Sequence, residues 1–190
     1  MLILVASALA SHGFAATDAL HEDFYVGLAA ATRGLRERMK VRGRVLPGAR
    51  EALDALAQTP GVAQSLVTGN IRPIAHEKLS SFGLSGWLDF EIGGYGSDGG
   101  VRSMLVCLAR ERSETKYGKA FAAERVVVIG DTQHDIAGAL ACGVVAIGVA
   151  TGRTTAEELT AAGAHVVLPS LTDTEAVLHA VLDEARPVRW

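Results

Sequence analysis

Over residues 1–45 the apolar positions recur at near-helical spacing: Leu2, Val5 and Leu9, then Leu20, Phe24, Leu28 and Leu35. Gly13 is placed to end a first helix. From Val45 the texture changes. Leu46-Pro47-Gly48 predicts a turn, and Ala49 to Ala57 a helix with Leu53 and Leu56 on its inner side. Val62 to Val67 predicts a short apolar strand that stops at Thr68-Gly69-Asn70. A helix carrying Ile74, Leu79 and Phe82 follows, closed by Gly83. Phe90 to Ile92 predicts a weak strand, Gly93 to Gly100 a flexible loop, and Val101 to Tyr117 an amphipathic helix. The strongest strand signal is Arg125 to Ile129, which runs straight into Gly130-Asp131. Beyond it the pattern predicts a helix over Ile136 to Ala141, a strand over Val144 to Val149 and a helix over Ala156 to Ala162. A strand over Val166 to Leu168 and a helix over Thr174 to Leu182 complete the series.

Strands and helices thus alternate from Val62 onward, and the strands are continuous apolar runs. A parallel sheet buried on both faces reads this way. The expected fold is α/β, a Rossmann-like open parallel sheet over residues 45–190, with a helical appendage over residues 1–44. Composition narrows the function. With 190 residues, 49% hydrophobic and 21% charged, a sizeable core can form and wholesale disorder is excluded. Eighteen Lys and Arg against twenty-one Asp and Glu leave a net charge of −3, which supplies no footprint for nucleic acid or an anionic membrane. Aromatic residues at 5% argue against base-stacking platforms as well. The basic run Arg33, Arg36, Arg38, Lys40, Arg42 and Arg44 reads as a solvated helix face. The longest apolar run, Met1 to Ala6, falls far short of the ~20 residues of a membrane-spanning helix. It lacks the basic flank of a secretory signal, so a cytoplasmic location is expected. Two cysteines, Cys107 and Cys142, are too few for a disulfide framework or a multi-cysteine zinc site. They fit a reducing compartment, and both read as small packing residues.

Functional groups in an open parallel sheet gather where the strands end. Two strand ends carry unusual polar residues. At Thr68-Gly69-Asn70 a hydroxyl and several backbone N–H groups converge on one point, as an oxyanion or phosphate cradle requires; a plain helix cap is the alternative. At Gly130-Asp131-Thr132-Gln133-His134-Asp135 two carboxylates four residues apart straddle a strand end and the first turn of a helix. That pairing suits a hard cation with oxygen ligands, Mg²⁺ above all. By contrast, Gly93-Gly94-Tyr95-Gly96 lacks the strand–GxGxxG–helix context of a dinucleotide site.

Thr68 after one apolar strand, and Gly130-Asp131 with Asp135 after another, resemble the second and fourth motifs of the haloacid-dehalogenase-like (HAD) phosphatases. Leu46-Pro47-Gly48, Thr68-Gly69-Asn70 and Ala141-Cys142-Gly143 resemble the phosphoglycolate-phosphatase-like branch. The resemblance covers residues from about 45 to 182. It implies a HAD-like core and Mg²⁺-dependent hydrolysis of a small phosphorylated metabolite through an aspartyl-phosphate. Thr68, with Gly69 and Asn70, would then contact phosphate. Asp131 would ligate Mg²⁺, and Asp135 would ligate or support it. The family's third motif is a Lys or Arg, and Arg102, at the start of its helix, is the candidate; Lys116 and Lys119 lie beyond that helix. His134 reads as an exposed neighbour.

The first motif, an apolar strand ending Asp-x-Asp-Gly-Thr, is absent. The aspartates before Thr68 are Asp18, Asp23 and Asp54, none at the end of an apolar strand. Two explanations stand. Residues 1–44 could be the remnant of a truncated helical cap, the core over 45–190 lacking its first strand. Alternatively, Met1 to Val5 could be that strand, with Ala6 and Ala8 where the aspartates belong. Under either, a hydrolase by ancestry is expected to be catalytically silent as this chain; a non-catalytic HAD-like protein binding metal or a phosphorylated ligand is the alternative. The missing strand should also leave a gap between the strands ending at Val67 and Ile129. Met1 to Val5, a neighbouring chain, or direct pairing of the flanking strands would fill it.

Overall fold

The computed structural model describes residues 43–184, together with 39–41 and positions 23, 26, 27 and 30. Those earlier positions are helical. The readings that fall on residues 1–22, on the remaining positions up to 42 and on 185–190 lie outside the described residues. From Ala49 onward the elements alternate: α1 (Ala49–Ala57), β1 (Val67–Thr68), α2 (Arg72–Ser81), β2 (Gly94–Tyr95), α3 (Arg102–Tyr117), β3 (Val127–Gly130), α4 (Gln133–Ala141), β4 (Val145–Val149), α5 (Ala156–Ala161), β5 (Val166–Leu168) and α6 (Thr174–Glu184).

Local chemistry sets most of these boundaries. Gly48 precedes α1 at φ 80, and a Cβ there would strike the Leu171 carbonyl, so the Leu46-Pro47-Gly48 turn needs glycine on both counts. Pro73 sits in the first turn of α2, where its missing N–H costs nothing. Thr132 caps α4 through its hydroxyl, and Thr155 with Glu158 closes a capping box on α5. These helices begin where the sequence places a hydroxyl before an apolar run.

Among the described residues all strand pairs are parallel. β3, β4 and β5 form one sheet in that order, with Ile129 opposite Ile147 and Ile147 opposite Val166. β4 is buried along its whole length, as the centre of a doubly covered sheet should be. On one face Val145 and Ile147 pack with Ala52, Val177 and Ala180 of α1 and α6. On the other, Ala146 packs with Val106, Ile136, Ala139 and Leu159 of α3, α4 and α5. The α/β class and parallel sheet expected from the pattern are therefore present.

The strand expected over Val62 to Val67 is confined to Val67–Thr68, with residues 62–66 outside any ladder, and two further expectations need correction. Phe90 to Ile92 is not a strand; the strand is Gly94–Tyr95, inside the stretch expected to be a flexible loop. Glycine makes that strand possible: a Cβ on Gly94 would collide with the Leu105 carbonyl of α3, and one on Gly96 with the Gly69 carbonyl. The rest of the loop is held too. Asp98 accepts the Tyr95 N–H at 2.9 Å and takes both arms of Arg112 at 2.7 and 2.8 Å. The second correction concerns the cysteines, which are not independent packing residues: Cys107 of α3 is disulfide-bonded to Cys142 at the end of α4.

β1 and β2 form a separate two-stranded parallel sheet, with Val67 opposite Gly94 and Thr68 opposite Tyr95. Among the described residues no ladder joins β1 to β3, so direct pairing of the flanking strands does not close the gap. Ile129 is 39% exposed, whereas its β4 partner Ile147 is fully buried. α3 ties the halves together, packing on β1, β2 and α4.

Candidate functional site

Both parallel sheets end on polar residues, and Arg102 connects the two ends. It is the first residue of α3, directly after the Gly-rich loop, and the packing of α3 on β1 and α4 fixes its backbone. Its Nη1 donates to the Val67 carbonyl at 3.1 Å, one residue before Thr68. Its Nε lies 3.2 Å from Asp135 Oδ1 in the first turn of α4. One guanidinium thus spans from the end of β1 to the helix that follows β3. Small residues let it do so, since a Cβ on Gly138 would meet the Arg102 side chain at 2.5 Å.

At the β1 end, the Thr68 hydroxyl accepts the Asn70 backbone N–H at 3.1 Å and the Asn70 side-chain amide at 3.2 Å. Both acceptor sites are used, which leaves the hydroxyl proton to donate. The Gly69–Asn70 turn is backed by the Gly96 N–H, which donates to the Asn70 carbonyl at 2.9 Å. The cradle expected at residues 68–70 therefore has a braced hydroxyl.

At the β3 end the two carboxylates behave differently. Asp135 is half-buried and occupied on both oxygens: Arg102 holds Oδ1, and the Thr132 hydroxyl donates to Oδ2 at 2.6 Å. It packs over Gly130, where no Cβ could fit. Asp131 is exposed and lies against Gly152, its carboxylate occupying the space a Cβ there would take. His134 is exposed, as expected. Lys116 pairs instead with Asp89 and Glu91, at 2.6 Å each, and so serves elsewhere.

The loop after β4 adds a residue that the sequence reading did not single out. Thr151, next to Gly152, buries its Oγ1 with no hydrogen-bond partner. A hydroxyl two residues past the end of an apolar strand was legible, much as Thr68 at the end of β1 was. It lacked only the Gly-Asp or Gly-Asn company that marks the other two ends. Among the described residues no group of three or more His, Cys, Asp or Glu side chains is arranged to hold a metal. Asp131 offers one exposed carboxylate, and Mg²⁺ keeps several waters and commonly takes only one or two carboxylates. A separate open cavity of about 320 Å³, lined by Gln64, Trp87, Asp89 and Tyr117, lies at the entering end of β1 rather than at this site.

Parallel strands, a braced hydroxyl after one and carboxylates after another define a HAD-like α/β fold. The comparisons agree with that class. Residues 96–174 match the HAD-hydrolase-like family model, so the resemblance drawn from the sequence holds over that segment. Among solved structures, a HAD hydrolase of family IA, variant 3, from Entamoeba histolytica superposes with a TM-score of 0.64 at 17% identity, over 95% of this chain and 77% of that one. A HAD family hydrolase from Deinococcus radiodurans, solved with bound phosphate and sodium, gives 0.58 at 24% identity, over 96% and 74%. A β-phosphoglucomutase-like protein from Thermotoga maritima gives 0.58 at 24% identity, over 71% of this chain. The match spans only 60% of that protein's length. At these identities the structures establish the fold. No curated protein matches the chain in sequence. Among the described residues no helix is long and apolar enough to cross a membrane.

Proposed function

We propose that this chain binds a small phosphorylated metabolite together with Mg²⁺ at the Thr68–Arg102–Asp131 edge, and that it does not hydrolyse it by the HAD route. The observation that carries the reading is Arg102, whose guanidinium links the end of β1 to Asp135 and stands beside the Thr68 cradle. Thr68 donates its hydroxyl proton to a phosphate oxygen, and the Gly69 N–H adds a donor to the same point, while the Asn70 N–H, taken up by Thr68 Oγ1, braces that hydroxyl instead. Arg102 supplies positive charge on a rigid fork suited to phosphate. Asp131 holds the cation, and Asp135 positions Arg102. Bound Mg²⁺ would offset the charge of phosphate and carboxylate in one place.

Turnover is a different matter. The covalent route needs a carboxylate placed to attack phosphorus, and no Asp-x-Asp precedes Thr68 in these 190 residues. Asp131 and Asp135 are taken by the roles above. The ancestry reads as that of a Mg²⁺-dependent phosphatase, while the chain itself reads as a binder. Mg²⁺ titration of the chain and of Asp131→Ala, beside a phosphate-release assay with p-nitrophenyl phosphate, tests both halves. The expected result is Mg²⁺ binding lost in Asp131→Ala and no turnover dependent on Asp131. Equal Mg²⁺ affinity in the variant, or robust Mg²⁺-dependent hydrolysis abolished by Asp131→Ala, would overturn the proposal. The second result would direct the search for a nucleophile to Asp18, Asp23 and Asp98.

A further inference from the structure

The two half-sheets are joined without a strand ladder among the described residues, so the α3–α4 contact carries the junction. Three features build that contact: the Arg102–Asp135 ion pair, the fit of Arg102 over Gly138, and the Cys107–Cys142 disulfide. Cys107 lies five residues beyond Arg102 on α3, and Cys142 seven residues beyond Asp135 on α4. The covalent bond therefore sits one to two turns from the ion pair, on the same two helices. Both cysteines are only half-buried, with Cys142 packed at the margin of the core cluster on that face of β4.

We infer that Cys107–Cys142 is a reversible redox modification site that sets how firmly α3 and α4 hold the Arg102–Asp135 pair. The inference deepens the reading of the phosphate site given above, since Arg102 belongs to that site. The reaction is thiol–disulfide exchange with a low-molecular-weight disulfide of the glutathione class. One cysteine thiolate attacks a sulfur of that reagent and releases the first small thiol. The second cysteine thiolate then displaces the other, so the protein loses two hydrogens and the reagent gains them as two thiols. A small dithiol reverses the exchange. A disulfide closing 35 residues of chain removes unfolded-state entropy, and here it also ties together the helices that bridge two half-sheets with no ladder between them among the described residues.

The test uses the full chain, oxidised with glutathione disulfide or reduced with dithiothreitol. Intact mass with thiol alkylation reports the bond, and thermal unfolding reports its effect. The oxidised chain should lack free thiols and melt about 5–10 °C above the reduced one. Cys107→Ser should melt like the reduced chain in both conditions. The decisive measurement is Asp135→Asn in each redox state, with Arg102→Met as the second variant should the first fail to fold. The melting loss caused by breaking the pair should be at least twofold larger in the oxidised chain. Two free thiols after oxidation, no redox shift in melting, or equal losses in the two states would each overturn the inference. If inorganic phosphate binds in neither state while the twofold difference holds, the redox site stands and the phosphate reading falls.

Discussion

Single residues carry the account of the site, and Arg102 and Thr151 test it from opposite directions. Arg102 makes an ion pair with Asp135 and a hydrogen bond from its cationic guanidinium to the neutral Val67 carbonyl, partly exposed in both cases. Arg102→Met should therefore cost only about 1–2 kcal/mol in urea unfolding, but more than tenfold in affinity for inorganic phosphate. A large stability loss with unchanged phosphate affinity would make Arg102 a structural strut alone. Thr151 buries a hydroxyl that bonds to nothing in the structure. Thr151→Val, which keeps the shape, should leave stability unchanged or raise it by about 1 kcal/mol. It should also weaken Mg²⁺ or phosphate binding if the hydroxyl faces the bound group. Asp98 provides the pH test. Burial alone would raise its pKa, yet hydrogen bonds from Arg112 and the Tyr95 N–H, with the charge of Arg112, hold it below the ordinary 3.8. A carboxylate with a depressed folded pKa stabilises the fold above its unfolded value and loses that contribution as pH falls through the folded one. Asp98→Asn should cost about 1–2 kcal/mol at pH 7, measured by denaturant unfolding. Its stability should then fall less steeply than the parent's below pH 4.

At the scale of elements, periodicity identified every α-helix from Ala49 onward to within a few residues, because amphipathic stripes and caps are local signals; the short 3-10 turns at Ser85–Trp87 and Ala123–Arg125 carry no such signal. Strand endings at Thr68 and Gly130, and with them the candidate site, were legible for the same reason. β2 was not. Gly94 and Tyr95 carry no strand pattern; what makes them a strand is the approach of the Leu105 backbone, a tertiary fact that favours glycine against propensity. Gly94→Ala should accordingly push β2 away from α3 and cost about 2 kcal/mol or more by denaturant unfolding. Near-neutral behaviour would show that the contact yields easily. The disulfide was illegible for a related reason. Its partners lie 35 residues apart, on helices whose packing no local pattern reveals.

At the largest scale, the decisive feature is a parallel sheet that among the described residues stands in two pieces. The β3–β4–β5 half has a complete double-sided core, while β1–β2 is bound to it through α3. The groups proposed to hold phosphate and a cation sit at strand ends on both halves, and Arg102 links the β1 end to Asp135. The most direct measurement is calorimetric titration of inorganic phosphate into the chain with saturating Mg²⁺, repeated with Thr68→Val and Asp131→Ala. The account predicts binding that needs Mg²⁺ and weakens at least tenfold in each variant. Phosphate binding of equal strength in parent and variants, or none in the correctly folded parent, would contradict it.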